Sequence, residues 1–187
     1  MIDVHTSLYN FMRDYRKKQD DSVALVRGGR KMRFEKLFRE IDRVAGGLYK
    51  LGVRKGDVVM LALPNIEQSV VASYACSRIG ATASMIHPKL SADEFFAAVK
   101  KLSPKVVFLS DVNQTKFFFK CGKAKKVICH FGVYDYLGLP HGKHFEAYEG
   151  DGEEIMFYMQ SGGTSGEPKT VAISSRSANA MAGNLLQ

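Results

Sequence analysis

The sequence predicts an α/β fold, a mainly parallel sheet flanked by helices. Two apolar runs, Val58-Val59-Met60-Leu61-Ala62-Leu63 and Val106-Val107-Phe108-Leu109, have the continuous apolar character of strands buried on both faces. Stretches with helical periodicity alternate with such runs, and glycine or proline punctuates the joins. A repeated strand-helix-strand order implies parallel strands joined by right-handed crossovers.

Taken in order, Val23 to Val26 and Lys31 to Phe34 flank Gly28-Gly29 and predict a small hairpin. From Phe34 the period becomes helical, with Leu37, Ile41, Val44, Ala45, Leu48 and Leu51 on one face and Gly52 as the stop. After the strand from Val58, Pro64 marks its end. Asn65 stands three residues before Gln68 as a capping box. The helix it opens is expected to turn Ile66, Val70, Tyr74 and Cys76 or Ser77 inward and to close at Gly80. A strand over about Thr82 to Ile86 follows.

Ser91-Ala92-Asp93-Glu94 is a second capping box, and Phe95, Val99 and Leu102 form an apolar stripe that Ser103-Pro104 ends. The strand from Val106 comes next. Lys116 to Lys126 reads as a short helix burying Phe118 or Phe119, then a basic turn. Val127-Ile128-Cys129 adds a strand, and Phe131 to Gly152 is irregular. Ile155 to Met159 is a strand, Thr170 to Ile173 another. Ser174-Ser175 caps a last helix with Ala178, Met181, Ala182 and Leu185. That helix reaches Gln187 without a stop signal, so residues 1–187 are expected to be part of a longer domain, interrupted at Gln187.

Composition fits one globular domain: 187 residues, 45% hydrophobic and 25% charged. No apolar run approaches the roughly eighteen residues of a membrane span. The N-terminus, Met1-Ile2-Asp3-Val4-His5, lacks the apolar stretch of a secretory signal, which predicts a cytoplasmic location. Cys76, Cys121 and Cys129 form no Cys-x-x-Cys pair and are expected to be reduced, partly buried thiols. Basic residues exceed acidic ones by 27 − 19 = 8. Such a balance asks for an anionic partner, but the charge is spread along the chain, and nucleic acid is not expected. His87 lacks a neighbouring acid, His130, His141 and His144 lack metal spacing, and Asp151, Glu153 and Glu154 are expected in a solvated turn.

The chemistry is concentrated in Gln160-Ser161-Gly162-Gly163-Thr164-Ser165-Gly166-Glu167-Pro168-Lys169. Three glycines, three hydroxyls and one lysine fall within ten residues directly after a strand. Glycines let backbone N–H groups turn inward, hydroxyls add donors, and the lysine adds a compact positive charge, a combination suited to nucleotide polyphosphate. A Walker loop is excluded at Pro168, where that pattern requires glycine and proline has no N–H to give. A ligand-free hairpin connection would need neither the lysine nor so many hydroxyls.

Ser161 to Lys169 resembles the phosphate-binding signature of the adenylate-forming superfamily, which includes acyl-CoA synthetases, peptide-synthetase adenylation domains and firefly luciferases. The resemblance extends upstream in order through Arg33 to Leu37, Leu51 to Val59, Leu63-Pro64-Asn65, Arg78 to Ala81 and His87-Pro88. Thr170 departs from the glycine of many members, and Ser175 from a histidine that lies near substrate in them. The Ser-Gly-Gly opening and Lys-Thr-Val ending look more like acyl-CoA synthetases than peptide-synthetase domains.

The resemblance implies the N-terminal part of the large domain of an enzyme that uses ATP and Mg2+ to convert a carboxylate to an acyl-adenylate, with coenzyme A as the expected thiol acceptor. It implies that Thr164, Ser165 and Gly166 hold the β- and γ-phosphates, that Lys169 closes over them, and that Ser161, Gly162 and Gly163 shape the turn. A cytoplasmic role in fatty acid metabolism is the corresponding expectation. The adenine contacts, the acidic magnesium ligand, the acyl pocket and a late catalytic lysine belong to positions beyond Gln187. No catalytic residue is therefore expected in these residues, and alone they are expected to be inactive. The expected partners are a small carboxylate, ATP and the remainder of the same chain. The alternative is a non-catalytic nucleotide-binding or interaction module that keeps the loop.

Overall fold

The computed structural model describes residues 3–17, 22–111, 113–130, 135–161 and 169–185. In chain order the elements are α1 (Leu8–Arg16), β1 (Val23–Arg27), β2 (Arg30–Arg33), α2 (Phe34–Lys50), β3 (Val58–Ala62), α3 (Glu67–Arg78), β4 (Thr82–Met85) and α4 (Ala92–Leu102). There follow β5 (Val106–Ser110), α5 (Gln114–Phe117) with a 3-10 turn (Phe118–Lys120), β6 (Lys125–Cys129), β7 (Tyr136–Leu137), β8 (Ile155–Ser161), β9 (Lys169–Ser174) and α6 (Ser175–Leu185).

Strands β1 and β2 form an antiparallel hairpin, and the other seven form one sheet in the order β7-β6-β5-β3-β4-β8-β9. Its five inner strands are parallel, and β7 and β9 close the two edges antiparallel. The α/β architecture expected from the apolar runs is therefore present, with antiparallel edges that no local pattern announced.

Alternation along β3 divides the interior in two. Val59 and Leu61 point to one side, where α1, α2 and α3 contribute Leu8, Leu37, Ile41, Leu48, Val71 and Ala75. Met60 and Ala62 point to the other, toward Phe95 and Val99 of α4 and Phe117 of α5. The Phe95 and Phe117 rings stack with centroids 4.2 Å apart. All four β3 residues from Val59 to Ala62 are fully buried, as a strand covered on both faces requires.

Several local expectations hold to the residue. Ser91 caps α4, its hydroxyl accepting from the Glu94 N–H at 3.2 Å while the Glu94 carboxylate accepts from the Ser91 N–H at 2.7 Å. Ser103 ends that helix in the left-handed conformation, φ 45°.

Other expectations change. The capping box at the start of α3 is not Asn65 with Gln68. Ile66 occupies the cap position, 4% exposed, because its side chain packs inward, and Ser69 answers it by accepting from the Ile66 N–H at 3.5 Å and donating to the Pro64 carbonyl at 2.6 Å. Nor is Val70–Tyr74 the inner face of α3. The helix lies between the sheet and α2, so Gln68, Val71, Ala72, Ala75, Cys76 and Ser77 are buried while Val70 and Tyr74 border a cavity. In the basic segment Phe117 is the buried ring, and Phe118 and Phe119 are 38% and 90% exposed, because the helix tightens to a 3-10 turn directly after Phe117. In α6 Met181 is 64% exposed and Asn179 is buried instead, since that side of the helix meets backbone carbonyls: the Asn179 amide donates to those of Val4 and Thr6 at 3.1 and 2.9 Å. Among the described residues, no helix is long and apolar enough to cross a membrane.

The segment around Leu139 to Gly142 lies across α2 where that helix carries Gly46 and Gly47. A Cβ at Gly47 would come within 2.6 Å of the Leu139 side chain, and one at Gly46 would run into the Gly142 backbone carbonyl. Helix propensity alone favours Gly46→Ala by about 1 kcal/mol. Backbone against Cβ cannot be relieved by a rotamer change, however, and overpacking of this kind costs about 1–3 kcal/mol. Gly46→Ala is therefore expected to lower the thermal midpoint; an unchanged or raised midpoint would show that the strap is not held this tightly.

Candidate functional site

In an open parallel sheet, ligands gather at the carboxyl ends of the strands, where helices and loops diverge. Here those ends are Ala62 of β3, Met85 of β4, Ser110 of β5, Cys129 of β6 and Ser161 of β8. β8 runs parallel beside β4, and the Thr82 hydroxyl ties the two together by donating to the Ile155 carbonyl at 2.7 Å. At its far end β8 turns back into β9, with Gln160 opposite Thr170 and Ser161 opposite Lys169. β8 and β9 thus pair antiparallel up to the carboxyl edge of the sheet. Gly162, Gly163, Thr164, Ser165 and Gly166 lie outside the described residues. The structure places only the two ends of the predicted loop, the Ser161 backbone and the exposed Lys169. Thr170, where many relatives of the signature carry glycine, continues β9 and borders a groove against Leu90, Glu94 and Ala98 of the α4 region.

The neighbouring strand ends carry polar residues that sequence reasoning missed. Asn113 is buried between β3 and β5, its oxygen accepting from the Ser110 N–H at 2.8 Å and its amide donating to the Ala62 carbonyl at 2.6 Å. His130 Nδ1 lies 2.6 Å from the Asp111 carboxylate, and the Gln68 amide donates to the His130 carbonyl at 3.1 Å. An Asp-x-Asn pattern directly after an apolar run was the available signal, since both residues favour side-chain-to-backbone turns. His87 accepts from the Lys89 N–H through Nδ1 at 3.2 Å, so it shapes the turn after β4.

A cavity of about 510 Å³ lies between the β1–β2 hairpin, α3 and β8, lined by Leu25, Val26, Ile66, Val70, Tyr74 and Phe157. Its cation, Arg27, is paired with Glu67 at 2.8 Å. Such a lining offers apolar surface where a polyphosphate needs donors. All three cysteines are free and buried. Burial pushes their thiols up, that of Cys121 to about 11, so none is a ready nucleophile at neutral pH. Among the described residues no group of three His, Cys, Asp or Glu could hold a metal ion.

Comparison with known proteins decides the family. The model of the family described as AMP-binding enzyme matches residues 12–186. The chain belongs to the AMP-binding enzyme family. This AMP-binding chain is 38% identical over 109 residues to an acetyl-coenzyme A synthetase of Penicillium chrysogenum, covering 55% of itself and 16% of that protein. It is 26% identical over 196 residues to the acetyl-coenzyme A synthetase of Rubrobacter xylanophilus, covering 87% of itself and 30% of the relative. Its fold is similar to that of a long-chain-fatty-acid-CoA ligase from Archaeoglobus fulgidus, with TM-score 0.83 and 21% identity over 97% of this chain and 39% of the ligase. The chain therefore spans less than a third of the length of these two curated relatives.

Ser175, the second departure from the family pattern, has a different use in this AMP-binding chain. It is fully buried at the start of α6, and its hydroxyl accepts from the Leu8 N–H at 3.3 Å. The Tyr9 N–H finds the Ser77 hydroxyl at 3.0 Å, and the Asn10 N–H finds that of Ser7 at 3.2 Å. Three of the N–H groups that a helix start leaves without intrahelical partners are thus satisfied, two of them by residues far away in sequence. Ser175 is a helix cap in trans. Ser175→Ala leaves a buried N–H without its acceptor and is expected to cost about 1–3 kcal/mol. The measurement is a urea titration, in which the midpoint should fall with the slope preserved; an unchanged midpoint would remove Ser175 from the interlock.

Proposed function

We propose that this chain is the N-terminal part of the large domain of a longer ligase that activates a carboxylic acid with ATP, forming an acyl-adenylate and then a thioester with coenzyme A. The observation that carries the proposal is the glycine- and hydroxyl-rich Ser161–Lys169 sequence, which links the paired strands β8 and β9 at the carboxyl edge of the parallel sheet in a member of the AMP-binding family. The names of the relatives favour a short acid such as acetate as substrate.

In this reading Thr164, Ser165 and Gly166 present donors to the β- and γ-phosphates, and Ser161, Gly162 and Gly163 set the backbone turn. Lys169, rooted at the first position of β9 opposite Ser161, supplies positive charge from a rigid strand end. A carboxylate attacking the α-phosphate brings two anions together, so the leaving pyrophosphate must be neutralised and held in line, which fixed donors can do. Mg2+ would add charge neutralisation on the phosphates. Its ligands are assigned outside the described residues, which supply no carboxylate cluster for it.

The test is a loop exchange followed by a substitution. An acetyl-coenzyme A synthetase whose matching segment is replaced by residues 161–169 of this chain should retain ATP–pyrophosphate exchange. Lys169→Ala in that background should reduce the exchange roughly tenfold to a thousandfold, as for other positioned charges, with no change in melting temperature. Equal exchange with and without Lys169 would contradict its role. The 187-residue chain alone is expected to show no acid-dependent exchange, because the adenine and carboxylate seats are assigned to the remainder of the proposed longer ligase.

A further inference from the structure

The far side of the α4 layer carries a surface that nucleotide chemistry does not explain. Phe96 on α4 is 39% exposed, and Phe118 and Phe119 on the 3-10 turn are 38% and 90% exposed. A nearly bare phenylalanine beside two half-bare ones is an apolar tip facing water. Lysines surround it. The Lys100 and Lys120 ammonium groups lie 5.7 and 5.5 Å from the Phe96 ring centre, and that of Lys126 lies 5.3 Å from Phe118. Lys123 is exposed in the turn between them and β6. Strand alternation gives Lys126 to this side of the sheet, because its neighbour Ile128 belongs to the α4 core while Val127 belongs to the opposite one. Asp93 is the acid that meets the cluster, 3.7 Å from Lys120 and 94% exposed, and Glu94 is engaged with Ser91.

We propose that the Phe96–Phe118–Phe119 tip and its lysine collar are a docking surface for an anionic lipid bilayer. Aromatic rings that enter the headgroup boundary, with lysines reaching anionic headgroups around them, are the two components of reversible peripheral attachment. The Lys120 and Lys126 ammonium groups sit over the Phe96 and Phe118 rings, so apolar surface and positive charge share one patch, the pairing that suits an interface between oil and salt. Single-stranded nucleic acid fits less well. Base stacking needs open ring faces, whereas Phe96 and Phe118 already carry ammonium groups over theirs, and Phe118 meets Phe119 edge-on at 78°. The overall charge of +8 acts in the same direction as the local collar and raises the rate of encounter with an anionic surface.

The test is co-sedimentation of the 187-residue chain with phosphatidylcholine vesicles, plain or containing about one-third phosphatidylserine. Binding is expected to the anionic vesicles only, and to fall as salt is raised. Phe119→Ser is expected to weaken it roughly tenfold or more, since the ring must lose its buried place in the lipid. Each of Lys120→Ala, Lys123→Ala and Lys126→Ala should weaken it roughly fivefold. Because Phe119 and Lys123 are exposed, their variants should keep the parent melting temperature, which separates lost docking from lost folding. Three results would overturn the proposal: no sedimentation of the parent chain with anionic vesicles, sedimentation that Phe119→Ser leaves unchanged, or tighter binding to a labelled single-stranded oligonucleotide than to the vesicles. The last would assign the surface to nucleic acid.

Discussion

The structure depends on the central strands β3 and β5 of its sheet, which are covered on both faces. β3 sits at its centre, and Val59, Met60, Leu61 and Ala62 have no exposed surface, so each neighbouring side chain must serve one core or the other. A shift of one residue in β3 would exchange the two sets of contacts, putting Met60 against α2 and Leu61 against Phe95. Register along β4, β5, β6 and β8 follows from the same requirement, since each pairs directly or through one neighbour with β3. The carboxyl end of β8, and with it the pairing of Ser161 with Lys169, is placed at the carboxyl edge of the sheet by that packing.

A second constraint joins the two ends of the described chain. The N-terminal segment leaves polar backbone groups in the interior, and α6 supplies partners for them through Ser175 and Asn179. Asn10 adds a bond to the Glu149 carbonyl at 2.8 Å, drawing in the segment before β8. α6 in turn follows β9 directly, so the strand that carries Lys169 is held from behind by the N-terminus. Rigidity at the base of a loop matters for any site that works by fixed donors, because a donor that must be reoriented during reaction loses much of its advantage.

Legibility in the sequence followed the range of the interactions. The Ser91–Glu94 capping box, the left-handed stop at Ser103 and the doubly buried runs of β3 and β5 are set by neighbours within a few residues, and they were readable. The inner face of α3 was misread because a helix covered on two sides loses the single apolar stripe that periodicity detects: Gln68 and Ser77 are buried there, and Val70 is not. Phe117, Phe118 and Phe119 are chemically identical, and only the tightening of the helix after Phe117 selects which ring goes inside. The burial of Asn179 shows in no local pattern, because its partners are carbonyls more than 170 residues away. Of the candidate site, the composition of residues 161–169 marks a phosphate loop whose inner residues lie outside the described ones, while the polar strand-end residues Asn113 and Asp111 are hidden by their dependence on neighbouring strands.

The central claim, that residues 161–169 bind the polyphosphate of a nucleotide, is tested most directly by following the backbone amide resonances of the isotope-labelled chain. Tripolyphosphate and ATP, each with magnesium, should shift the amides of Gly162 to Gly166 and of Lys169 in the same direction, and adenosine should leave them in place. Shifts caused by adenosine but not by tripolyphosphate, or a loop that responds to neither phosphate compound at millimolar concentration, would contradict the account.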